Sequence, residues 1–194
     1  MKKTISKNKG FSLVEMIIVL AIVAVMSTMA LISINVIRSA KAKDAASVFD
    51  SEVATLKTKA KGMGVDVNKD GKLSDDELKL YYCIKIYKDG DTYYLCTGYT
   101  NVESVSTSFV STAKNNDGKG RNLSTYVKIK YTGKLVNGTE VTDKEPGDNE
   151  NAFYIVFNKR GECVYGVGEY EFFKPNGRTV ARKYIRANGS HGSK

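Results

Sequence analysis

Twelve residues from Asp66 to Glu77, reading DVNKDGKLSDDE, set oxygen-bearing groups at the spacing with which an EF-hand loop wraps a calcium ion. Asp66, Asn68 and Asp70 offer side-chain oxygens, Gly71 permits the sharp bend, and Lys72 offers its backbone carbonyl. Ser74 acts through a water, and Glu77 closes the shell with two oxygens. The competing reading is a charged solvent turn, a setting that favours Asp, Asn and Gly in any case. Helices should not flank the loop on both sides, because Gly62 and Gly64 stop the preceding helix and strand-like sequence begins soon after Glu77. An isolated loop of this kind would use calcium to stiffen a connection, without the groove opening of sensor hands.

The other reactive side chains are three cysteines, Cys83, Cys96 and Cys163. The run YYCIKIY, the turn residues KDGD and the run TYYLCTGY read as a hairpin with a two-residue Asp89-Gly90 loop of type I′. That loop places Cys83 opposite Cys96 in a non-hydrogen-bonded pair, with alpha carbons about 4.5 Å apart, the short end of disulfide geometry. A disulfide there, two reduced half-buried thiols, or a bridge from Cys163 to either one all fit the spacing. Zinc fits less well, because no CxxC exists and the sole histidine, His191, lies in a Gly/Ser-rich tail. The same lone histidine removes Ser-His-Asp and Cys-His chemistry, and no phosphate-cradling glycine loop is present. The chain reads as a non-enzyme.

At the N-terminus the chemistry is processing and charge pairing. Residues 1–10 carry Lys2, Lys3, Lys7 and Lys9 and no acid, and end at Gly10; Phe11-Ser12-Leu13-Val14-Glu15 follows. From Met16 to Ile37 there are no charges and no proline. A helix of that length spans roughly 33 Å, matching a bilayer core of about 30 Å. A cut after Gly10 leaves the apolar run in the mature chain, and the leader lysines keep their end cytoplasmic, placing the C-terminal part outside. The cut also gives Phe11 an amine about one helical turn from Glu15, an acid that is costly in hydrocarbon without a partner. Ser12 and Glu15 also fit a simple capping box.

Gly10-Phe11-Ser12-Leu13-Val14-Glu15, after a lysine-rich leader and before an apolar helix, resembles the class III signal of type IV pilins and pseudopilins. The resemblance covers about the first 40 residues. It implies that a prepilin peptidase cuts after Gly10, that the Phe11 amine is methylated, and that Glu15 helps dock a subunit on its neighbour. It further implies a membrane-anchored precursor that a pilus assembly machinery builds into an extracellular homo-oligomeric filament, with roles in adhesion, motility or biofilms. A type II secretion pseudopilin shares these features, and a single-pass receptor that never polymerises is the reading outside the assembling class. Many family members carry a proline about twenty residues into the mature chain; here Ile32 stands nearby.

The elements that must position these groups follow from periodicity. Ala45, Phe49, Val53, Leu56, Ala60 and Met63 recur at steps of three and four, extending the helix past the bilayer-length segment. One helix over 11–62 is expected, its segment 11–37 serving membrane and assembly; two helices joined at Arg38 to Lys43 are the alternative. A connecting loop over 63–80 precedes an antiparallel head over 81–187, with further strands at Val102–Val110, Tyr126–Tyr131, Phe153–Phe157, Cys163–Val167 and Thr179–Ile185. Residues 188–194 read as a flexible tail. The fold class is α+β, a long N-terminal helix packed on an antiparallel sheet in the manner of type IV pilins. The net charge of +9 comes partly from the leader, and no Lys/Arg run interleaved with aromatics marks a nucleic-acid site.

Overall fold

The computed structural model describes residues 11–62, 64–114 and 116–194. The chain divides into two units, one ending at Ile37 and one running from Arg38 to Lys194. One helix, α1 (Leu13–Gly62), continues unbroken through Arg38 to Lys43, so the two-helix alternative falls. In the first unit the large apolar side chains from Leu13 to Met29 are all more than half exposed, and the helix is long and apolar enough to cross a membrane. In the second unit Ala42, Ala45, Ala46, Phe49, Val53, Leu56 and Ala60 are buried, while Lys41, Lys43 and Asp44 stay exposed. Of the helical positions named from the sequence, Met63 lies outside the described residues.

After a short 3-10 turn at Glu77–Lys79 the described residues form eleven strands: β1 (Leu80–Asp89), β2 (Thr92–Asn101), β3 (Val110–Ser111), β4 (Arg121–Asn122), β5 (Lys128–Lys134), β6 (Glu140–Lys144), β7 (Phe153–Phe157), β8 (Cys163–Tyr165), β9 (Gly168–Phe173), β10 (Thr179–Ile185) and β11 (His191–Ser193). They form two antiparallel sheets instead of one, in the orders β3-β2-β1-β7-β8, with β4 also on β2, and β11-β10-β9-β5-β6. One core joins the helix to the inner faces of both: Ile84, Ile86, Ile155 and Phe157 from the first sheet, Ile129, Tyr131, Tyr170 and Phe172 from the second. Phe49 sits at its centre, its ring 4.8 Å from that of Tyr170 and 5.5 Å from that of Phe172. The α+β expectation holds.

Two further expectations need correction. Val102–Val110 is turn-rich instead of a strand, because Ser and Thr side chains capture the local backbone: Ser108 Oγ donates to the Ser104 carbonyl at 2.7 Å and accepts the Asn101 N–H at 3.0 Å. The C-terminal tail is also ordered. There β11 pairs with β10, and Lys183 Nζ, 3.0 Å from Asp50 Oδ2 on α1, reaches Ser193 Oγ at 2.8 Å.

Candidate functional site

At the start of α1 the sequence builds a reciprocal cap. The Ser12 N–H donates to Glu15 Oε2 at 2.8 Å, and the Glu15 N–H donates to Ser12 Oγ at 3.2 Å. Two donors that the first turn would leave without partners are thereby satisfied, and the acid sits where the helix dipole favours it. Among the described residues nothing bonds Glu15 Oε1. Phe11, 81% exposed, directly precedes the cap. Gly10, the expected cleavage position, lies outside the described residues.

The loop from Asp66 to Glu77 is drawn together by its own carboxylates. Asp66 accepts the Lys69 N–H on Oδ1 at 2.6 Å and the Gly71 N–H on Oδ2 at 2.9 Å. Lys69 and Gly71 both adopt the left-handed conformation, with φ 57° and 78°, so the bend expected at Gly71 is present. Asp70 Oδ1 accepts the Lys72 N–H at 2.8 Å. Glu77 Oε1 takes the N–H groups of Val67 and Asn68 at 2.8 and 3.3 Å, and Oε2 takes the Ser74 N–H and hydroxyl at 2.9 and 2.8 Å. The bonds from Ser74, backbone then hydroxyl, followed by that from Val67, hold the Glu77 carboxyl at about 2. Asp66, Asn68, Asp70, Lys72, Ser74 and Glu77 thus share one loop, but their acids point at backbone N–H groups. Among the described residues no three His, Cys, Asp or Glu side chains converge as a metal group.

The cysteines do not pair. The β1–β2 turn is centred on Gly90-Asp91 instead of Asp89-Gly90, so Asp89 faces Thr92, Cys83 faces Gly98 and Cys96 faces Lys85. Gly90 has φ 60° and Asp91 a negative φ, the type II′ pattern with glycine first, which explains the slip. Cys83 and Cys96 become diagonal neighbours, at separations of about 7–8 Å that need backbone movement to bridge. Cys163 lies in the core between helix and sheets, whereas Cys83 lies in a second cluster with Val105, Tyr154 and Val156 on the opposite face. All three are buried free thiols, and burial pushes Cys163 up to about 12.

That second face carries a grouping the sequence did not announce. Lys85 Nζ lies 5.3 Å from the ring centre of Tyr87, 5.5 Å from that of Phe109 and 5.8 Å from that of Tyr154. Its one sequence signal is a lysine amid the apolar and aromatic alternation of YYCIKIY. Phe109 comes from the loop misread as strand.

Residues 5–31 match the family model described as the prokaryotic N-terminal methylation motif. The matched segment is of the kind that forms the class III signal of type IV pilins and pseudopilins, and the helix that follows is long and apolar enough to cross a membrane. Neither the search of curated proteins nor that of solved structures returns a match.

Proposed function

We propose that this chain is a structural subunit, the major pilin, of an extracellular type IV pilus filament. The observation that carries this reading is the methylation motif at residues 5–31 leading without interruption into an apolar helix. A prepilin peptidase cuts after Gly10, the Phe11 amine is methylated, and the helix holds the precursor in the membrane. Assembly moves the helix from lipid into a bundle of its own kind. The gain over lipid is small, so an energised machine drives the step. Mass spectrometry of filaments sheared from the cell surface tests this: the expected chain begins at N-methylated Phe11 and is the abundant component. A native chain that still begins at Met1, or one found only as dispersed monomers in cells with the export machine, overturns it. Trace abundance beside another main subunit removes the major-pilin assignment, and localisation in a short periplasmic assembly makes the chain a pseudopilin.

We further propose that the Asp66–Glu77 loop binds calcium. The twelve-residue spacing, the left-handed turns at Lys69 and Gly71 and the hard-oxygen donor set all suit the ion. Asp66, Asn68, Asp70, Lys72, Ser74 and Glu77 would hold it, and Glu77 would exchange its N–H and hydroxyl partners for it. Calorimetric titration of the full chain in detergent should give saturable calcium binding that Asp70→Ala weakens at least about tenfold, the order expected for losing a charged oxygen contact. Absence of binding heat, or an unchanged affinity in Asp70→Ala, rules it out.

A further inference from the structure

On the face of β1 and β2 turned away from α1, an open cavity of about 300 Å³ is walled by Lys85, Tyr87, Phe109 from the loop after β2, Asp117, Lys119 and Asn149 among others. Gly98 lets this loop approach, since a Cβ there would stand 2.1 Å from the Val110 carbonyl oxygen. Lys85 is half-buried, and among the described residues it has no carboxylate within ion-pairing distance and no hydrogen-bond acceptor. Its neighbours are the three aromatic rings, whose faces repay only part of the lost hydration of an ammonium. Burial accordingly lowers its basicity from the ordinary lysine value.

The remaining charges around the cavity are disposed differently. Lys119 is neutralised at 2.6 Å by Asp89. Asp117 is exposed and Asn149 is exposed in the loop after Glu145, so the rim offers one carboxylate and one amide. The cavity therefore combines a half-buried cation, aromatic surface, and rim groups that accept from and donate to hydroxyls. A ring compound with a carboxylate, several hydroxyls and an apolar face satisfies all of them. A simple anion leaves the aromatic walls and Asp117 unused, and a neutral sugar leaves Lys85 without a counter-charge.

The geometry points to a binding site for an acidic monosaccharide, with the sugar carboxylate on Lys85, the ring face against Tyr87 and Phe109, and hydroxyls on Asp117 and Asn149. Such a unit occurs free or as the end of a polysaccharide, and the carboxylate chemistry is the same in both. Titration of the full chain in detergent with glucuronate, followed by the amide resonances of Lys85, Cys96 and Gly118, is the test. Saturable shifts are expected with glucuronate and not with glucose. Lys85→Met, which keeps the apolar stem, should weaken binding at least about tenfold, whereas Lys85→Arg should stay within about threefold. Asn149→Ala, at an exposed position outside the core, should weaken binding even if Lys85→Met fails to fold. A glucuronate-terminated oligosaccharide that binds more tightly identifies a polymer end as the ligand, and one that does not bind identifies the free sugar; either outcome supports the site. Equal response to glucose and glucuronate, no saturable response to glucuronate, or unchanged affinity in both Asn149→Ala and a folded Lys85→Met overturns it.

Discussion

Phe49→Ala should lower the unfolding free energy of the unit from Arg38 to Lys194 by about 3–5 kcal/mol, the range for deleting a buried aromatic ring from a packed core. Phe49 is 1% exposed, and its ring bridges the helix to β9 through Tyr170 and Phe172. Tyr170 cannot readily move to fill the space, because its hydroxyl donates to the Gly166 carbonyl at 2.8 Å. Phe172 is fully buried among residues of both sheets. The surroundings therefore collapse little, and the cost falls at the upper part of the range. Against a total stability of about 5–15 kcal/mol, such a loss is a large fraction. Unfolding of the full chain in detergent, followed by the β-sheet signal in urea, measures it. Lys59→Ala, at an exposed position on the same helix, should change stability by less than about 0.5 kcal/mol. A Phe49→Ala loss no larger than the control's would mean that the helix does not seat on β9.

The parts of this molecule that were legible are those whose pattern repeats. Alanine and larger apolar residues from Ala45 to Ala60 return every third or fourth position, and those positions are buried. The β1–β2 hairpin was legible too, because its alternation is long. Its register slipped by two positions on the choice of which residue leads the turn. A slip of two keeps every side chain on its own face. Ile84 and Ile86 face inward and Cys83 outward in either register; only the partners change, and with them the disulfide. The strand β9 escaped because Gly166 and Gly168 punctuate it and Glu169 and Glu171 dilute its apolar count, although Tyr170 and Phe172 alternate with those acids as a one-sided strand should. Lys85 was invisible as a site for another reason: its surroundings come from β1, β7 and the loop above them, and local periodicity cannot show which distant ring covers a given lysine.

Glu15 is the position at which local structure and proposed assembly make separable demands. Its carboxylate caps the helix through Ser12 on Oε2, and no described residue bonds Oε1. In the filament proposed above, that oxygen would receive the Phe11 amine of a neighbouring subunit. A carboxylate costs about 2.5–3.5 kcal/mol at the centre of the hydrocarbon and less at its edge, where Glu15 starts the helix, so the unassembled subunit is less comfortable in lipid than one without it. Pairing with a cationic terminus recovers that cost only on docking. Glu15→Ala therefore stabilises the membrane-held subunit and removes the attraction that draws it out. Sheared filaments should fall at least about tenfold, since a hydrogen bond between charged groups is worth about 1.5–3 kcal/mol at each contact. The processed chain, still beginning at Phe11, should accumulate in the membrane fraction. Alanine also removes the Glu15 half of the capping box, its bond from the Ser12 N–H, so the decisive variant is Glu15→Gln. Glutamine still accepts the Ser12 N–H and keeps the capping box, but carries no charge. If charge pairing drives docking, Glu15→Gln fails to assemble as Glu15→Ala does; if Glu15→Gln makes filaments in normal amount, Glu15 serves only to start its own helix.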